Sequence, residues 1–271
     1  MTYNDTIIIP ATLYGIVGGV GITAGSHRLF AHRSYSAKLP LRILLCYLHC
    51  IAGQTHLSKW VRDHRTHHRY TETAADPHDA SRGFFFSHMG WLMVKRHPAV
   101  KEYGSKIDMS DMASDPVVQF FDKYYGLIMT FVSFILPALL PVYGWNESWY
   151  IAIHSVFIRY VMSLHLTFIV NSFAHFWGNK PYDRTLKSTD NAAVAFFALG
   201  EGWHNYHHSF PWDYKAAELG NYELNCSTAF IELMAWLGLA YNLKSPSREV
   251  IERTMLKKGD GTNSFWGRKI H

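Results

Sequence analysis

Nine histidines in this chain fall at spacings that suit metal ligation. His27 and His32 bound HRLFAH, His64, His67 and His68 make HRTHH, His204, His207 and His208 make HNYHH, and His175 closes NSFAH. Residues three and four apart on a helix share a face, so each HxxHH triplet aims three imidazoles at one region. Neutral imidazole suits Zn, Cu, Fe and Ni. The three cysteines, Cys46, Cys50 and Cys226, include no CxxC pair, which excludes a thiolate zinc site, an iron-sulfur cluster and a disulfide framework. His27 and His32 lie five apart, about 140° around an ideal helix, so they either serve different metals or sit across a helix end. Nine imidazoles exceed the coordination capacity of one first-row ion, whereas two ions with four or five ligands each account for all of them. Asn171 lies one turn before His175, where its amide would hold a metal-bound water. The other eight histidines (His49, His56, His78, His88, His97, His154, His165 and His271) read as surface or satisfied core residues. Asp63, Glu72, Asp76 and Glu201 either orient imidazole N–H groups or serve as ordinary helix-surface and capping residues.

The elements that must position these residues are apolar helices. Ile7 to Gly25 is 19 residues without a charge, roughly 28 Å of helix and close to the thickness of a bilayer core. No basic segment precedes it and no small-residue cleavage site follows, so it does not read as a signal peptide. Tyr124 to Trp145 gives 22 uncharged residues, with Pro137 and Pro141 tolerated as kinks. Trp149 to Gly178 is interrupted only by Arg159, which at a cost of about 2.5 to 3.5 kcal/mol must snorkel or face protein. Only Asn146, Glu147 and Ser148 separate these last two spans, a tight hairpin that returns the chain to the side it left. The reading is all-α, with three membrane helices (about 7–25, 124–145 and 149–171) capped by a helical domain built from blocks 26–123 and 172–271. Those blocks hold nearly all the Lys and Arg, which places them in the cytosol by the positive-inside rule. Leu41 to Leu57 and Ser227 to Leu243 are too short or too polar to span, and belong at the interface or against the cytosolic domain.

The whole chain carries 271 residues, a formal charge of +5, 48% hydrophobic and 17% charged residues, and 17 histidines against 21 acidic residues. That composition excludes a disordered or collagen-like chain. A mean hydropathy of -0.07 averages the apolar spans with the polar, histidine-rich blocks. No nucleic-acid-binding motif is present.

The histidine boxes and their surroundings, GITAGSHRLFAHRSY, KWVRDHRTHHRYTETAADPHDASRGFFFSHMGW, NSFAHFWG, PYD and GEGWHNYHHSFPWDY, resemble those of the membrane-bound acyl-CoA desaturases, the stearoyl-CoA desaturase family, and especially its insect members. The resemblance covers nearly the whole chain and implies a single desaturase domain over residues 1–271. It further implies two iron ions held by the nine histidines, with Asn171 acting through a water, O2 as oxidant, and electrons from NADH through cytochrome b5 reductase and cytochrome b5. The expected product is a cis double bond, at Δ9, in a saturated fatty acyl-CoA, and the expected location is the endoplasmic reticulum membrane. By the same resemblance Arg62, Asp63, Lys95 and Arg96 contact the CoA part, whose phosphates suit Arg and Lys. From their sequence position alone, Lys95 and Arg96 equally read as anchors on anionic lipid. Gly15, Gly18 and Gly19 either line the end of an acyl tunnel or allow close helix packing. The family usually has four spans, so three would put the N-terminus in the lumen and mark a fragment or a divergent form. A histidine-box lipid hydroxylase is the near alternative. A histidine-rich metal transporter is the distant one, since it should hold its ligands near mid-membrane rather than where helices exit.

Overall fold

A computed structural model describes residues 5–218 and 222–262. His271 and the end of the second block therefore lie outside the described residues. Three helices are long and apolar enough to cross a membrane, at Asp5–Ala31, Tyr125–Trp145 and Trp149–Phe176. The expected spans are present, but the first continues six residues past Gly25. Its α-helical part, Asp5–Val20, passes into a π-helix over Gly21–Ala31 in which all eleven residues are buried. His27 thus sits on the first long helix itself rather than in a block that begins after it.

Close packing explains how this helix extends into the protein. Leu39–Ala52 runs against both the α and π parts of the first span, burying Leu41, Leu45, Leu48, Cys50 and Ile51. A Cβ on Gly21 would lie 2.3 Å from the Leu48 carbonyl carbon and 2.4 Å from the His49 nitrogen, so only glycine permits this approach. Gly18 packs on the same helix, where a Cβ would stand 3.1 Å from the Ala52 nitrogen. Leu39–Ala52 is therefore a partner of the first span. Ser26 Oγ and His49 Nδ1 lie 2.7 Å apart, and Tyr35 Oη donates to the Ala24 carbonyl at 2.8 Å, which supplies partners for polar groups along the π segment.

The second and third spans form the expected hairpin. Asn146 ends the second span in the left-handed region, with φ 61°, and Ser148 Oγ accepts from the Ile151 N–H at 3.3 Å to start the third. Arg159 faces protein and does not snorkel. It is 6% exposed, its Nη2 donates to the Ser133 carbonyl of the second span, and its guanidinium carbon lies 5.5 Å from the Tyr14 ring centroid.

Above the spans, the Leu57–Tyr70 helix packs beside the π segment and buries Leu57 and Val61 in the main core with Val118, Phe121 and Ile231. Cys226–Trp236 closes over the same region, and Ser227 Oγ donates to Thr23 Oγ1 at 2.6 Å. A short antiparallel pair, Ser36–Ala37 with Ala240–Tyr241, ties the two blocks together in the register Ser36 to Tyr241.

Candidate metal centre

The structure gathers all nine box histidines into two groups. His27, His32, His64, His68 and His207 form one, and His67, His175, His204 and His208 the other, with the ligand nitrogens of each group within 4.8 Å of one another. Each HxxHH triplet is divided between the groups and does not aim at one point. His64 and His68, four apart, face the first group while His67 turns to the second; His204 and His208, four apart, face the second while His207 turns to the first. The two box helices, Leu57–Tyr70 and His204–Ser209, therefore run between the groups.

His27 and His32 enter the same group, which decides between the two expected placements. The π-helix closes a backbone bond five residues apart, from the His32 N–H to the His27 carbonyl at 3.1 Å, so residues at this spacing meet across the helix end. Their ring centroids are 4.8 Å apart.

The donor set fits metal. Nε2 atoms face one another at 2.9 Å for His27 and His207, 2.8 Å for His32 and His64, and 3.0 Å for His68 and His207. In the second group the separations are 3.1 Å for His175 and His204, 3.1 Å for His204 and His208, and 3.3 Å for His67 and His208. Burial pushes the pKa values of His32, His64, His68, His204, His207 and His208 well below the ordinary imidazole range, which keeps them neutral. A neutral imidazole has one N–H and one lone pair. His207 Nε2 meets two other Nε2 atoms while its buried Nδ1 has no hydrogen-bond partner. A cation at the focus of each group would engage these lone pairs together.

Two of the four candidate carboxylates stand behind this set. Asp76 Oδ2 accepts from His67 Nδ1 at 2.9 Å, and Glu201 Oε2 lies 2.8 Å from His27 Nδ1. Glu72 instead accepts from the Lys187 backbone N–H, and Asp63 pairs with Arg96 and Lys59. His78, a lone histidine in the sequence, packs against His67 with ring centroids 4.3 Å apart and the planes tilted by 41°, and its Nδ1 lies 3.7 Å from the Asp76 carboxylate. Arg28 is the other residue the sequence reading missed. It is 1% exposed and donates to Glu201, Thr228, Asn225 and the Tyr214 carbonyl. The available sequence signals were the arginine inside an apolar helix and the proximity of ADPHD to the second box. Replacing Asp76 with alanine should weaken metal binding in the His67 group by about 10- to 100-fold and leave the His27 group intact, as a metal titration would show.

Asn171 ends the regular part of the third span, and the helix breaks at Ser172, with φ -115° and ψ -79°, before a short turn over Phe173–Phe176 carries His175. Asn171 and His175 therefore do not share a face of one continuous helix. Ser172 Oγ donates to the Phe168 carbonyl at 2.9 Å, which anchors the break. Asn171 lines the head of a cavity of about 460 Å³, beside His64, His67 and His204.

That cavity runs between the first and third spans and is walled mainly by apolar side chains such as Ile16, Ile158, Met162 and Leu166. Gly15 and Gly19 line it, whereas Gly18 packs against Ala52, so the glycines divide between the two expected roles. Of the four residues expected at the CoA part, Asp63 and Arg96 form a two-pronged pair at 2.8 and 2.7 Å. Burial works to raise the Asp63 carboxyl, but Arg96 and Lys59 hold it below its usual range. Arg62 and Lys95 are exposed to solvent.

Comparison with known proteins agrees with this geometry. Residues 6–219 match the fatty acid desaturase family. An acyl-CoA Delta-9 desaturase of Acheta domesticus is 53% identical over 97% of this chain and 73% of its own length. An acyl-CoA Delta(11) desaturase of Spodoptera littoralis is 54% identical over 93% and 74%, and an acyl-CoA Delta12-desaturase of Acheta domesticus is 51% identical over 96% and 74%. With two histidine groups at the head of an apolar cavity and these matches along most of its length, the chain belongs to the fatty acid desaturase family, among its acyl-CoA desaturases.

Proposed function

We propose that this chain inserts a cis double bond at Δ9 into a saturated fatty acyl-CoA, using O2, two iron ions held by the nine histidines, and electrons from NADH delivered through cytochrome b5. The observation that carries this reading is the apolar cavity between the first and third spans, which ends at His27, His64, His67 and His204. Removing two hydrogens from an unactivated methylene exceeds the reach of side-chain acids and bases, and activation of O2 for that step is what the iron pair supplies. The chain's own residues bind and orient. Its spans hold an extended acyl tail out of water, with Gly15 and Gly19 leaving the width the tail needs. Asn171 holds a water at the head of the cavity. Arg62, Lys95 and Arg96 bind the CoA phosphates, with Asp63 fixing Arg96. The whole chain acts as one desaturase domain in the endoplasmic reticulum membrane, with the histidines on the cytosolic side where the basic blocks lie.

A Cβ on Gly19 would meet Leu199 Cδ1 at 2.9 Å inside the cavity wall. Gly19→Leu should therefore narrow the cavity and shift the product profile severalfold towards shorter acyl chains, read from the fatty acids of cells expressing the variant. The activity is tested by expression in desaturase-deficient yeast with double-bond positions determined by mass spectrometry. Δ9 monoenes that depend on His204 are the expected result. Bonds confined to Δ11 or Δ12 would replace the Δ9 assignment, and hydroxy-acids alone would point to a hydroxylase.

A further inference from the structure

Between the PYD turn and the third-box helix lies a segment, Ser188–Asp190, that bonds to the elements carrying four of the nine histidines. Thr189 holds the element that bears His175: its backbone N–H donates to the Ala174 carbonyl at 2.6 Å, and its Oγ1 donates to the Ala174 and Trp177 carbonyls at 3.0 and 2.9 Å. The next residue holds the other element. Asp190 Oδ1 accepts from the Asn205 and Tyr206 backbone N–H groups at 2.9 and 3.1 Å, in the first turn of His204–Ser209. These are donors a helix start leaves without partners of its own. The Ser188 carbonyl completes the link by accepting from Asn205 Nδ2 at 3.0 Å. Asn205 is fully buried, with Oδ1 taking the Tyr182 and Asp183 N–H groups and Nδ2 also reaching the Asp183 carbonyl.

A helix of six residues has little stability of its own, so its orientation depends on such bonds. His207 from this helix faces one histidine group, and His204 and His208 face the other. We propose that Ser188–Asp190 is a positioning strap that fixes the third-box helix against the His175 turn, so that Asp190 sets the geometry of both metal groups while Thr189 sets only the group containing His175. Neither residue belongs to a histidine group or lines the apolar cavity. The proposal rests on the reading that the two groups hold metal.

The test is a Co(II) titration of the purified full chain in detergent, followed by its visible absorption, with circular dichroism as the check on folding. Wild type should bind two ions. Asp190→Ala should weaken both by about 10- to 100-fold in parallel with the helical signal retained, and Asp190→Asn, which keeps an acceptor oxygen, should restore them. Thr189→Val, nearly isosteric, should weaken one ion only, and it provides the measurement if Asp190→Ala does not fold. Two ions bound with wild-type affinity by both Asp190→Ala and Thr189→Val would overturn the strap while leaving the metal reading intact. A wild-type chain that binds no Co(II) would overturn both.

Discussion

His207→Ala is expected to abolish oxygen-dependent desaturation and to empty the five-histidine group while the four-histidine group still binds. His207 is central to its group, with Nε2 2.9 Å from His27 Nε2 and 3.0 Å from His68 Nε2. A neutral imidazole lost from the focus of five removes a ligand directly, so the loss of affinity should exceed the ~10- to 100-fold typical of an outer partner. Metal content per chain, measured on purified variant and wild type, checks the first part. Loss of rescue in desaturase-deficient yeast checks the second. Because His207 is buried on a helix whose start is held by Asp190, the variant should retain its helical content. An equal loss of both metals with intact folding would mean that the two groups are not separate sites.

The second large effect is expected from Glu201→Ala, and it concerns stability before chemistry. Glu201 joins two buried groups, accepting from Arg28 Nε at 2.9 Å through one oxygen and standing 2.8 Å from His27 Nδ1 through the other. Burial works to raise its carboxyl, but Arg28 and His27 outweigh that and hold it below the ordinary carboxylate range. Alanine would leave the Arg28 guanidinium in a buried site with only neutral partners, Thr228, Asn225 and the Tyr214 carbonyl. Breaking a buried pair from one side costs about 3 to 5 kcal/mol, a large share of the roughly 5 to 15 kcal/mol that stabilises a folded domain. The variant should melt far below wild type in detergent and accumulate poorly. A melting temperature within a degree or two of wild type would show that the Arg28–Glu201 pair contributes little.

The spans and the nine box histidines were legible because their signals are local and repeated: long uncharged runs, and imidazoles three and four residues apart. The division of each triplet between two groups was not legible, since it depends on where the box helices lie relative to one another. The π-helix hid in the same way. Five-residue spacing of His27 and His32 conflicts with ordinary α-helical geometry and is accommodated by the π register over Gly21–Ala31, in which the His32 N–H reaches the His27 carbonyl. The one signal for His78, ADPHD close behind the second box, did not place it, because His78 meets His67 only when the loop after that box folds back onto it. Similarly, the sequence left the roles of the first-span glycines open, and the structure separates them by face, Gly18 towards Ala52 and Gly15 and Gly19 towards the cavity.

That the nine imidazoles hold two iron ions is tested most directly by counting metals in the purified 271-residue chain by elemental mass spectrometry, with protein quantified by amino-acid analysis. Two irons per chain, with one retained in His207→Ala, is the result expected. Zinc in place of iron, a single ion per chain, or an unchanged iron content in His207→Ala would contradict it.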